Sequence, residues 1–294
     1  MKSNTARSRA YRIFSIVVLV ILAILFLFPL YWIVTGAFKP AVDIYAKEPV
    51  WWPSEWVTNN FQTLFKKRTA PLFSIFGLAG PVAPAAFRWL INTVFMSVMA
   101  MLLTCATATM AGYALAKKRF VGRALLFSLI VCAMALPKQV ILIPLLKEMA
   151  SLKLYDSLWA VIFPTVGWPF GVFLMKQFSE GIPGEILEAT RIDGASEAKT
   201  FVTVVLPMVK PGIGALAIFT FINAWNDYFM QLVMLPSGDN FTMPLGIATL
   251  QAETSVDMGL LMAGAALASV PIIIVFLIFQ KYFTQGITMG AVKG

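Results

Sequence analysis

Residues 179–210 read SEGIPGEILEATRIDGASEAKTFVTVVLPMVK and hold Glu180, Glu185, Glu188, Asp193 and Glu197, five of the chain's fourteen acidic residues. The blocks on either side are almost wholly apolar. Over 294 residues the chain is 59% hydrophobic and 13% charged, against about 45–50% apolar and about 25% charged for soluble domains. Several runs exceed the roughly 18–20 apolar residues that cross a bilayer. The flanks can lie in lipid and residues 179–210 cannot, so this stretch is expected to face water, where a partner is the natural thing to look for.

Working outward, the apolar runs give an all-α polytopic membrane protein with six spans. Lys2, Arg7, Arg9 and Arg12 precede the first span, 13–36, and place residues 1–12 in the cytoplasm by the positive-inside bias. Residues 37–88 are mixed and read as an external loop, with Trp51, Trp52 and Trp56 as interface anchors and a Lys66-Lys67-Arg68 cluster. The core, 89–283, holds five more spans: about 89–115, 124–146, 158–175, 211–235 and 260–283. The basic turn Lys117-Lys118-Arg119 and residues 179–210 fall inside, and the tail 284–294 is cytoplasmic. Pro137, Pro144, Pro164 and Pro169 predict kinks within spans.

The net charge of +9 sits at the ends of apolar runs, which suits topology and argues against nucleic acid as a partner. The chain has no histidine, which removes the commonest metal ligand and general base. Neither a metal site nor a catalytic residue is expected, and the chain does not read as an enzyme. Cys105 and Cys132 lie inside apolar runs and read as small buried hydrophobes rather than a disulfide.

Within the polar stretch, Ile182-Pro183 opens a helix, with Ile186, Leu187 and Thr190 on one face. Gly194 supplies a turn that is cheap only for glycine, and Ser196 caps a second short helix running into Leu206-Pro207. The shape is helix, glycine turn, helix, held at both ends by spans. Lys199 and its neighbours fail the phosphate-loop pattern, so this chain is not expected to bind ATP itself.

Glu188-Ala189-Thr190, three residues, Gly194, nine residues, then Val204-Val205-Leu206-Pro207 resembles the EAA loop of ABC importer permeases. The spacing is matched in full, with Thr190 in place of an alanine and Val204 in place of an isoleucine. The extension Arg191 to Ala195 is similar to the carbohydrate-uptake permeases of the maltose-transporter kind. Ala224-Trp225-Asn226-Asp227 and the ending from Gln285 to Gly294 agree with it. The resemblance implies a type I importer fold and a bacterial inner-membrane location. It implies a second homologous permease, two ATPase subunits that carry ATP and magnesium, and an external binding protein that delivers the sugar. On the same ground Glu188 would contact a basic residue of the ATPase and Ala189 would let the helix seat closely. Gly194 would make the turn, with Thr190, Asp193, Leu206 and Pro207 completing the loop, and Gln285, Gly286, Lys293 and Gly294 would reach the ATPase from the tail.

Asp227 is the acid set deepest in a predicted span, with Asn223 and Asn226 beside it. A carboxylate in hydrocarbon costs at least about 2.5–3.5 kcal/mol, so it must face protein or a water-filled path. Asn92, Asn223, Asn226 and Asp227 are therefore candidate pathway residues, with a structural hydrogen bond as the competing explanation for Asp227. Lys66, Lys67, Arg68 and Arg88 read mainly as a solvated face or a docking surface for a binding protein, with steering of an acidic oligosaccharide as the lesser alternative. A competing class is an ion-gradient-driven transporter or channel in which Asp227 binds the coupling ion.

Overall fold

The computed structural model describes residues 3–66, 69–71, 82–253 and 257–291. In chain order the elements are α1 (Ser3–Ala37), α2 (Ala41–Ile44), α3 (Asn59–Lys66), β1 (Thr69–Pro71), β2 (Val82–Pro84) and α4 (Ala85–Lys117). Next come α5 (Arg123–Ala133), α6 (Lys138–Ser151), α7 (Trp159–Val166) and α8 (Pro169–Glu180). The polar stretch holds α9 (Gly184–Ile192), α10 (Glu197–Thr200) and α11 (Leu206–Met208). The chain continues through α12 (Lys210–Asn226), α13 (Tyr228–Met234), α14 (Met243–Glu253) and α15 (Met258–Ala291). The protein is all-α apart from the minimal β1–β2 ladder. Among the described residues four helices are long and apolar enough to cross a membrane, or six if each of two bent pairs counts as one span.

The chain divides into two compact units. The first comprises 1–69 and 247–269. The apolar body of α1 is exposed at nearly every position, as a lipid-facing helix is. Beyond its end the segment expected to be a simple loop is well organised. Asn60 donates to the carbonyls of Ala37 and Lys39, both at 3.0 Å, and Asp43 accepts from Ser54 N at 2.7 Å. Lys39 is 2% exposed, donates to the Val50 carbonyl and lies 4.0 Å from the Trp32 ring centroid. Burial pushes its ammonium below the usual lysine range, with Asp43 opposing. Trp51, Trp52 and Trp56 are exposed, as interface anchors would be.

The second unit comprises 70–246 and 270–294 and is built on α4, which packs along α8, α12 and α7. Small residues let these helices close up, the usual device where lipid offers no hydrophobic drive for association. At Gly112 an added Cβ would lie 2.6 Å from the backbone nitrogen of Lys176. One apolar cluster holds Met96, Ala100, Ile162, Met234 and Leu245. A second joins Tyr113 and Met175 to Leu187, Val205 and Val209 of the polar stretch.

Two spans depart from the simple expectation, one of them at both ends. Residues 124–146 are not one kinked helix: α5 and α6 meet at 106° across the break that ends at Pro137. The 211–235 run stops at Asn226, because Asp227 leaves the helical region and its carboxylate caps α13, accepting from Met230 N at 3.4 Å. The stretch from α10 to α11 meets α12 at 75° around Val209, just ahead of Pro211. Cys132, expected to be buried, is exposed on α5, an apolar helix that presents this thiol outward. Arg88, read as part of a solvated face, is fully buried at the start of α4, while Lys67 and Arg68 lie outside the described residues.

Candidate functional site

The polar stretch folds as a two-helix bracket. Pro183, expected at the first helical position, is instead the N-cap of α9, which begins one residue later at Gly184. On α9 the side chain of Leu187 is buried against the second apolar cluster. Burying such a side chain contributes about 1.5–3 kcal/mol. Glu185, Glu188, Ala189, Arg191 and Asp193 all face outward. Glu188 makes no ion pair among the described residues, and Ile192 is 87% exposed. Glu188 and Ile192, four positions apart, present an acid and a large apolar side chain on neighbouring turns of the same short helix.

The turn closes as a Schellman motif: Ala195 N donates to Thr190 O and Gly194 N to Arg191 O, each at 3.0 Å. Gly194 has φ +72°, where a side chain would be strained. Ser196 Oγ caps α10, accepting from Lys199 N at 3.3 Å. Thr190, the departure from the double-alanine pattern, is put to use here. Its hydroxyl donates to Leu187 O at 2.8 Å and accepts from Thr200 Oγ1 at 3.2 Å, so it staples α9 to α10. A π-helical turn at Phe201–Val205 follows, with Leu206 N reaching back to Phe201 O. The register shifts just before Pro207, which has no N–H to give.

The end of α4 grips this bracket. Lys117 Nζ donates to the carbonyls of Glu180, at 3.1 Å, and Ile182, at 2.6 Å, capping the exit of α8. Lys118 pairs with Glu197 on α10, and Arg191 also reaches Glu197, at 3.4 Å. These last pairs are exposed and individually weak. Lys117→Met is expected to lower stability by about 1–2 kcal/mol. Limited trypsin digestion should then cut faster at Arg191 and Lys199; an unchanged rate would deny Lys117 the anchoring role.

The second constellation lies where helices break. Lys138, the first residue of α6, extends its ammonium to Asn223 Oδ1 at 2.6 Å and to Asp227 Oδ2 at 3.0 Å. The same Nζ lies 5.8 Å from the ring centroid of Trp168, the N-cap of α8. Asn223 and Asp227 are thus brought together by a lysine that was not among the candidate residues. Asn226 is exposed and donates to Ile222 O at 2.9 Å, within its own helix. Asn92 is wholly buried and donates to Asp239 O at 3.1 Å and Phe241 O at 2.8 Å. Its amide anchors a loop. Asp156, with φ +59°, holds the same loop through Ser237 and Asn240.

Of the tail residues, Gln285 and Gly286 lie on α15, whereas Lys293 and Gly294 fall outside the described residues. Among the described residues no three potential metal ligands cluster.

With the bracket and the broken-helix cluster in place, comparison with known proteins is informative. Residues 108–289 match the family model described as binding-protein-dependent transport system inner membrane component. The chain is 34% identical to an arabinooligosaccharides transport system permease protein of Halalkalibacterium halodurans, over 93% of both chains. It is 29% identical to the diacetylchitobiose uptake system permease protein of Streptomyces coelicolor, over 98% of this chain and 99% of that one. In three dimensions it resembles a chain of a bacterial ABC transporter involved in the import of the acidic polysaccharide alginate, with a TM-score of 0.74. That likeness covers 94% of this chain and 97% of the other at 22% identity, and it speaks for the fold. A match over more than half the chain, with the α9–α10 bracket inside it, places this protein in the family of binding-protein-dependent transport system inner membrane components.

Proposed function

We propose that this chain forms half of the translocation pathway of an ATP-driven sugar or oligosaccharide importer, and that the α9–α10 bracket is its point of attachment to the motor. The observation that carries the reading is the bracket itself. It is anchored at both ends to spans and displays Glu188 and Ile192 outward, and Glu188 makes no ion pair among the described residues. The named substrates of the relatives, arabinooligosaccharides and diacetylchitobiose, support a carbohydrate cargo.

In this reading a second permease completes the pathway, two ATPase subunits hold ATP and magnesium, and an external binding protein delivers the cargo. This chain binds no cofactor. Both termini and the bracket lie on the cytoplasmic side, where the basic residues concentrate. Closure of the ATPases moves α9 and α10 as a unit. Lys117 and the buried Leu187 pass that movement to α4 and α8. Asp227 is an awkward coupling-ion site for a gradient-driven transporter, because its carboxylate is already paired with Lys138.

The test is purification of the tagged chain in mild detergent, followed by reconstitution with whatever co-purifies. An ATPase and a second permease should come with it, and uptake should require ATP. A chain recovered alone that transports in liposomes without ATP, and stops with an ionophore, would overturn the reading.

A further inference from the structure

The geometry points to a cargo-charge filter at the Lys138–Asp227 pair: the pathway lining is locally neutral and takes an uncharged, hydroxyl-rich sugar, and Asp227 denies Lys138 to an acidic one. The inference rests on the reading of this chain as half of a sugar pathway.

Three interruptions of the helical chain meet at this point. They are the elbow ahead of α6, the α12–α13 junction at Asp227 and the Gly167-Trp168 step before α8. Backbone irregularity within a membrane domain is tolerated where it is packed in protein or lines a water-filled cavity. The side chains are disposed unequally. Lys138 is 48% exposed at its side chain and Asp227 only 16%. The cation is therefore the accessible member, and the carboxylate sits behind it.

An ammonium has three N–H groups. Two are directed at Asn223 Oδ1 and Asp227 Oδ2, and neither charged group makes another ion pair among the described residues. One N–H is left for an acceptor from outside. A sugar hydroxyl can take it without separating the pair, and the Trp168 ring beside the same nitrogen offers a face for a sugar ring to stack on. A uronate carboxylate reaching the same N–H would have to compete with Asp227 and would be repelled by it. Water at the half-exposed lysine screens that repulsion in part, but the repulsion acts on the uronate and not on a neutral hydroxyl, so the pair reads the charge of the cargo.

The experiment measures binding of a neutral arabino-oligosaccharide and of a uronate oligomer of equal length. The sample is the purified whole assembly in nanodiscs without the external binding protein, so the selectivity read is that of the pathway. The native assembly should prefer the neutral sugar. Asp227→Asn, which frees the lysine charge, should shift the affinity ratio toward the uronate by at least about tenfold. Asp227→Glu should keep the native ratio, and the double variant Lys138→Gln/Asp227→Asn should lose the uronate gain. Asn223→Lys adds a second cation while Asp227 stays in place, and it should also favour the uronate if the single asparagine variant does not assemble. An unchanged ratio in the assembled variants overturns the filter, as does equal binding of the two sugars by the native assembly. Binding of neither sugar by an assembly that still transports overturns the placement of cargo at Lys138 and leaves the importer reading standing. An assembly that moves no sugar with ATP and its binding protein overturns that reading, and the filter with it.

Discussion

Gly112→Leu is expected to abolish accumulation of the folded chain, and even Gly112→Ala is expected to destabilise it by about 1–3 kcal/mol. An added Cβ would lie 2.6 Å from Lys176 N and Met175 C, and 2.7 Å from Met175 Cβ. Two of those three atoms belong to the backbone of α8, which has no rotamer to retreat into. Relief requires α4 and α8 to move apart, and this is the most extensive helix pairing in the second unit. Gly212 is a useful contrast. Its Cβ would also fall near 2.5 Å from a neighbour, but that neighbour is the Phe178 ring, which can turn. Gly184 has nothing within 4 Å and should accept alanine without loss. Thermal unfolding of the detergent-purified variants checks the order, with Gly112 most sensitive, Gly212 intermediate and Gly184 neutral. A Gly112→Ala protein as stable as the Gly184→Ala protein would show that α4 and α8 have slack at this contact.

Glu188→Ala is expected to do the opposite: leave the chain intact and break its attachment. The Glu188 side chain is exposed and makes no ion pair among the described residues, so its removal takes nothing from the fold. In the assembled importer it is proposed to meet a cation of the ATPase. Truncating one member of a hydrogen-bonded charge pair buried on binding costs about 2–5 kcal/mol, which weakens docking by roughly thirtyfold to several thousandfold. Co-purification of the ATPase should fall by that order and ATP-driven uptake with it, at an unchanged unfolding temperature. Retention of full uptake would remove Glu188 from the docking role. A fall in unfolding temperature would point to a structural role instead.

The bracket was legible because its signals are local. A polar run between apolar blocks, a glycine at a turn position and a serine cap each act within a few residues, and the structure realises them at Gly194 and Ser196. The staple through Thr190 was not legible, since its partner Thr200 lies on the other side of the turn. Lys138 was missed for a related reason. It is the lone charge in the third apolar run, as Asp227 is in the fifth, and the two are opposite in sign. That complementarity was the available signal. Local periodicity cannot say that residues 89 positions apart meet, and Pro137 announced a kink rather than an elbow of 106°. Asn92 looked like a pathway residue because it is an amide in an apolar run. Its partners, the carbonyls of Asp239 and Phe241, lie in a loop whose return to α4 no local pattern encodes.

The elbow between α5 and α6 bears on how the protein is made. With 11 and 14 residues, these helices are about 16 and 21 Å long at 1.5 Å per residue, and neither reaches across a hydrocarbon core of about 30 Å. As it leaves the insertion machinery, this segment therefore cannot settle in the bilayer as an independent straight helix and keep the shape it has in the finished protein. Lys138 emerges 89 residues ahead of Asp227, so the ion pair that ties the start of α6 to the α12–α13 junction forms only after Asp227 has been synthesised. Until then this contact cannot help to hold the bend.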